Sequence, residues 1–118
     1  MVSIDGNGLT LEDVVQVARY GEPVELSPEG LAAINTSRKY LDTVMASGKP
    51  VYGINTGFGI FSDRRIPRRD SATLSRNLIL SHAVGTGAPL PDEVVRAAML
   101  VRANTLAKGY SGVRVEVV

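Results

Sequence analysis

Leu11, Val14, Val15 and Ala18 follow one another at helical spacing, with Thr10 and Asp13 placed as an amino-terminal cap and a first-turn acid and Gly21 as the stop. This predicts a short first helix. Ser27-Pro28-Glu29 opens a second, a capping serine followed by proline at the first helical position, and its stripe of Leu31, Ile34, Leu41, Val44 and Met45 runs to Gly48. Helical periodicity returns near Asp70-Ser71, carries Leu74, Leu78 and Ile79 on one face, and ends near Gly85-Thr86-Gly87. Pro91-Asp92-Glu93 starts a fourth helix through Val94, Ala98, Met99 and Leu106 to Gly109. Small strands are expected at 2–4 and 24–26.

Between 49 and 69 the periodicity disappears, and the segment holds three glycines, two prolines and four arginines. An unstructured stretch of about 20 residues is uncommon in a compact domain unless it has a function. The fold class is therefore mainly α, with one long glycine-rich loop. After Ser111-Gly112 a further apolar segment, 113–118, begins; four of its six residues are valine, whereas a free terminus is usually polar, so the chain is expected to stop inside an element.

Composition adds mainly exclusions. With 118 residues, 44% of them apolar and 21% charged, the chain is long enough for one modest core and has no signature of disorder. A net charge of +1 offers no overall attraction to nucleic acid or to an anionic membrane. The absence of cysteine excludes a disulfide framework, a thiolate nucleophile and a cysteine-ligated metal. No stretch approaches the roughly 20 apolar residues of a membrane span, and 1–6 resembles no signal peptide, so a cytoplasmic location is expected.

Tyr52 opens the run Tyr52-Gly53-Ile54-Asn55-Thr56-Gly57-Phe58-Gly59, too rich in glycine for helix or strand. A tyrosine titrates near about 10, so it becomes a base only where dipoles or cations favour phenolate. On spacing alone a turn tyrosine half-buried beside a tight loop is the simpler reading. Phosphate binding is disfavoured, because the run lacks the lysine and hydroxyl of a P-loop and the glycine spacing of a dinucleotide fingerprint. Asn55 and Thr56 can serve as hydrogen bonds across the loop. His82 is the only histidine, and a lone histidine ending an apolar helix is more often a capping or core residue than a ligand. Asn77 reads equally as a local backbone partner within its helix and as part of a site wall.

YGINTGFG, together with Asn77-Leu78-Ile79-Leu80-Ser81-His82 and the LAKGYSGVR run that starts at Leu106, resembles the amino-terminal part of the aromatic amino acid ammonia-lyases, the histidine-specific branch above all. The resemblance implies a helical ammonia-lyase/fumarase-like fold, of which 1–118 would be the amino-terminal domain of a longer lyase. It also reverses the balance at two residues. Tyr52 takes the place of the base that removes the β-proton, and His82 that of the histidine facing the substrate side chain; Gly53, Asn55, Thr56, Gly57, Phe58, Gly59 and Asn77 take supporting places. The pair Ser81-His82 is typical of histidine ammonia-lyases and of bacterial aminomutases, and argues against phenylalanine and tyrosine lyases. Ser75 departs from the family, which commonly has glutamine there.

The family's electrophile, 4-methylideneimidazole-5-one, forms from an internal Ala-Ser-Gly. Ala46-Ser47-Gly48 matches the triad in letters only, because the family's lies far downstream of the tyrosine motif whereas this one ends a helix; Gly48 reads as the residue after the helix C-cap. Resemblance thus implies a cofactor from a downstream triad that this chain does not carry, no metal, L-histidine converted to urocanate and ammonia, and a homotetramer, with the 118 residues alone inactive. Two alternatives stay open: an aminomutase using the same cofactor, and a non-catalytic interaction module with the same fold. Arg64, Arg65, Arg68 and Arg69 form a basic cluster without aromatic interleaving and beside Asp63 and Asp70, which reads as solvated surface or subunit contact rather than a nucleic-acid site. The glycine turn at 108–112 reads as structural, with Lys108 complementing a helix end.

Overall fold

The two expected strands, β1 (Val2–Ile4) and β2 (Val24–Leu26), pair in parallel, with Val2 opposite Val24 and Ile4 opposite Leu26. Parallel neighbours cannot be joined by a tight turn, so the chain makes its crossover through α1 (Leu11–Tyr20). The computed structural model describes all residues 1–118, which divide into two compact units, 1–41 with 89–118 and 42–88. The strands and α1 belong to the first. So does α4 (Asp92–Ala107), while α2 (Pro28–Ser47) begins in the first unit and ends in the second, which also contains α3 (Ser71–His82).

Local chemistry accounts for the helix ends. The Thr10 hydroxyl accepts the Asp13 N–H at 3.1 Å while the Thr10 N–H donates to the Asp13 carboxylate at 3.0 Å, closing a capping box. Gly21, at φ 70°, supplies the left-handed turn that stops α1. The backbone N–H and then the hydroxyl of Thr10 hold the Asp13 carboxyl below its ordinary value. A lowered folded-state pKa makes this contribution complete above the unfolded value of about 3.9 and lost as pH falls through the folded one. Fraying confined to the first turn of α1 is therefore expected on acidification through that window, read as loss of amide-exchange protection at 13–15; protection unchanged to lower pH would refute it.

The core of the first unit is Val2, Ile4 and Leu100, with Val14, Val17, Leu26 and Ala103 packed against it. On α4 the inward face is Ala97, Leu100, Ala103, Leu106 and Ala107; Leu106 is buried as expected, and the three alanines suit its close packing on α1 and β1. Val94 and Met99 face solvent instead, as does Leu11 on α1. Arg19 and Glu93 join α1 to α4 at 2.7 Å on the exposed side. Helical spacing gives the period of a stripe but does not choose between two adjacent apolar edges; here the alanine edge won because it admits a neighbouring helix.

Glycine contacts fasten the turn after α4 onto α2. A Cβ at Gly109 would lie 2.6 Å from the carbonyl carbon and oxygen of Ala33, and Gly112 donates its N–H to the Ser37 hydroxyl at 2.9 Å. This gives the 108–112 run the structural role expected of it. The segment after it forms a 3-10 turn at Val115–Val117. α3 ends three residues earlier than its periodicity suggested, since Ala83 leaves helical backbone at ψ 65°. No helix is long and apolar enough to cross a membrane.

Candidate active-site loop

Asn55 organises the second unit. Only 7% exposed, it accepts the Val51 N–H on its side-chain oxygen at 2.7 Å and donates its amide N–H to the Lys49 carbonyl at 2.8 Å. One side chain thus fixes the backbone on which Tyr52 stands. Thr56, 2% exposed, pairs with Arg65 in an antiparallel bridge, flanked by Gly57 N–H to the Arg64 carbonyl at 2.9 Å and Ile66 N–H to the Asn55 carbonyl at 2.8 Å. The stretch that looked structureless is therefore a clasp, with 55–57 held against 64–66. Gly57 is required by proximity, since a Cβ there would stand 2.7 Å from Cβ of Phe61. Gly53 and Gly59 adopt φ 78° and 59°, which L-residues with side chains rarely take.

The clasp leaves Tyr52 outward. Tyr52 is 62% exposed, its ring meets Phe58 edge-on, centroids 5.9 Å apart at 69°, and its hydroxyl makes no hydrogen bond within the chain. This corrects the half-buried turn tyrosine suggested by spacing alone. The phenol borders a shallow depression with Gly59, Ser62 and Asp63. Two arginines of the basic cluster have intrachain roles: the Arg64 guanidinium lies 5.3 Å above the Phe61 ring, and that of Arg65 comes within 3.3 Å of the Cβ position of Gly48, at the carboxyl end of α2.

α3 supplies the opposite wall of a cleft of about 230 Å³, where Gly53, Ile54 and Phe58 from the loop meet Ser75, Leu78 and Ile79. Thr56 also borders it. Ser75, which stands where the family commonly has glutamine, is thus a wall residue. Tyr52, Asn77 and His82 lie outside this cleft; Asn77 is exposed, and its amide makes neither of the contacts that would make it a local backbone partner. His82 ends α3, with Nδ1 at 2.9 Å from both the Leu78 carbonyl oxygen and the Ser81 hydroxyl.

Ala46 and Ser47 are the last residues of α2, the Ser47 hydroxyl donates to the Val44 carbonyl at 2.7 Å, and Gly48 turns the chain at φ 69°. These are helix-end roles. No group of His, Asp or Glu side chains is placed to hold a metal.

The family profile described as aromatic amino acid lyase matches residues 9–118. The chain belongs to the aromatic amino acid lyase family. The histidine ammonia-lyase of Caldanaerobacter subterraneus subsp. tengcongensis is 56% identical over 117 residues, 99% of this chain and 23% of that enzyme. Among solved structures, the ergothionase of Treponema denticola superposes with a TM-score of 0.92 at 37% identity, covering 98% of this chain and 23% of its own. The tyrosine aminomutase of Streptomyces globisporus gives 0.89 at 35%, covering 96% and 22%. The chain therefore spans less than a quarter of the relatives it matches. The mainly helical fold with its small sheet is the fold of this lyase family, as the tyrosine and glycine motifs implied.

Proposed function

We propose that residues 1–118 are the amino-terminal domain of a longer, cytoplasmic, homotetrameric histidine ammonia-lyase, which removes ammonia from L-histidine without oxidation to give urocanate. The observation that carries this is the 56% identity to a histidine ammonia-lyase across 99% of the chain, including the loop that presents Tyr52. In this reading 4-methylideneimidazole-5-one, made from a triad in the rest of the protein, supplies the electrophile for the substrate amine. The β-proton is only weakly acidic, and no side chain in these 118 residues activates it comparably.

Placement supports the following roles for this chain's own residues. Tyr52, exposed and held from below by Asn55, takes the β-proton onto its phenolic oxygen. In this chain no cation or N–H group contacts that oxygen, so the donors that favour phenolate belong to the rest of the active site. Gly53, Gly57 and Gly59 give the loop its close turns; Thr56 and Phe58 brace it; Asn77 lines the outer surface of α3. His82 accepts the imidazole of the substrate.

Turnover separates the parts. The complete protein is expected to raise urocanate absorbance on addition of L-histidine, whereas the purified 118 residues give none; clear turnover by the short chain would overturn this division of labour. An aminomutase remains the second reading, favoured by the TM-score of 0.89 to a tyrosine aminomutase. A β-amino acid in place of urocanate among the products of the complete protein would establish it.

A further inference from the structure

Ser81, His82 and Leu78 form a small triangle at the end of α3. The Ser81 hydroxyl lies 2.8 Å from the Leu78 carbonyl oxygen, His82 Nδ1 lies 2.9 Å from the same oxygen, and the hydroxyl and Nδ1 are 2.9 Å apart. A carbonyl oxygen only accepts, whereas the hydroxyl brings one hydrogen and each ring nitrogen of neutral imidazole is either a donor or an acceptor. Were His82 protonated on Nε2, the lone pair of Nδ1 would face the lone pairs of Leu78, and the one serine hydrogen would have to serve two contacts. With the hydrogen on Nδ1 every edge of the triangle joins a donor to an acceptor: serine donates to Leu78, and Nδ1–H is shared between that carbonyl and the serine oxygen.

We infer that the end of α3 holds His82 in its Nδ1–H tautomer, with the acceptor-only Leu78 carbonyl requiring the hydrogen on Nδ1 and Ser81, as a positioning residue, adding a second acceptor, so that Nε2 is left as a hydrogen-bond acceptor. This rests on the proposed contact between His82 and the substrate ring, and it narrows what that contact can be. The ligand ring must bring a donor. An imidazole N–H satisfies Nε2, whereas a phenyl ring leaves its lone pair unpaired, and sites built for a polar partner discriminate most strongly against an analogue that lacks it. The lock is local, contained within five residues of one helix, so it does not depend on how the remainder of the enzyme closes over the site.

Because His82 is the only histidine, its ring can be read without ambiguity. With ring-¹⁵N histidine incorporated into the 118-residue chain, long-range ¹H–¹⁵N correlations are recorded well above pH ~6.5, where an ordinary imidazole is neutral. Nδ1 is expected to be the protonated nitrogen. In Ser81→Ala the Nδ1–H form should lose ground to Nε2–H, which free histidine side chains favour, while staying populated through the Leu78 carbonyl, and Ser81→Thr should restore the original balance by returning a hydroxyl. A dominant Nε2–H form in the unaltered chain, or an Ala variant with the same tautomer balance, overturns the inference. Should Ser81→Ala disorder the end of α3, the unaltered chain and Ser81→Thr still decide. No turnover is measured, so a failed tautomer leaves the contact of His82 with substrate standing, and a failed contact leaves the tautomer standing.

Discussion

Tyr52→Phe in the complete enzyme is expected to lower kcat for L-histidine by roughly 10²–10⁴-fold, the range ordinarily supplied by a positioned general base, with KM changed little. The substitution removes one oxygen and leaves the ring. Because that oxygen has no hydrogen bond within the chain while the ring keeps its edge contact with Phe58, the loop has no structural reason to move. Circular dichroism and unfolding midpoint should match those of the unaltered protein. The clasp predicts a different signature for Asn55, which fixes the backbone beneath the proposed base: its loss is expected to disturb 49–51 as well as activity. A Tyr52→Phe enzyme that keeps its rate within a few-fold would remove Tyr52 from the base role.

The contrast between these two residues shows what could be read in advance. Tyr52 stands out as a candidate because chemistry and motif coincide in one run of letters, and the helix starts are legible because capping is local: Thr10 with Asp13, and Ser27 with Pro28, need nothing beyond their own neighbourhood. The parallel pairing of the two strands could not be read so directly. Three residues fix little register, and the partner lies a whole helix away. The clasp was hidden for the same reason, since the bridge from Thr56 to Arg65 spans a tip, 57–64, that carried no periodic signal. Which α4 edge turns inward was settled by the small residues that its neighbour requires. Ser75 was noticed as an oddity of sequence, but only the packing of α3 beside the loop makes it a wall of the cleft. The tautomer of His82 was also beyond the letters, because it depends on three atoms meeting at one helix end.

Gly109→Ala is expected to cost about 3 kcal/mol, a large share of the roughly 5–15 kcal/mol that holds a domain of ordinary stability. Two penalties combine. At φ 73° any L-residue with a side chain loses about 1 kcal/mol or somewhat more, and a new Cβ set 2.6 Å from the Ala33 carbonyl forces the turn away from α2 at a further cost of about 1–3 kcal/mol. Gly21→Ala separates the two. Gly21 has nearly the same backbone, φ 70°, but nothing lies within 4 Å of its Cβ position, so it should show the first penalty alone. Urea unfolding of both variants tests the difference. A Gly109→Ala midpoint clearly below that of Gly21→Ala assigns the turn after α4 to close packing on α2; equal midpoints would mean that the glycine serves its own backbone and that the approach to Ala33 is not tight in solution.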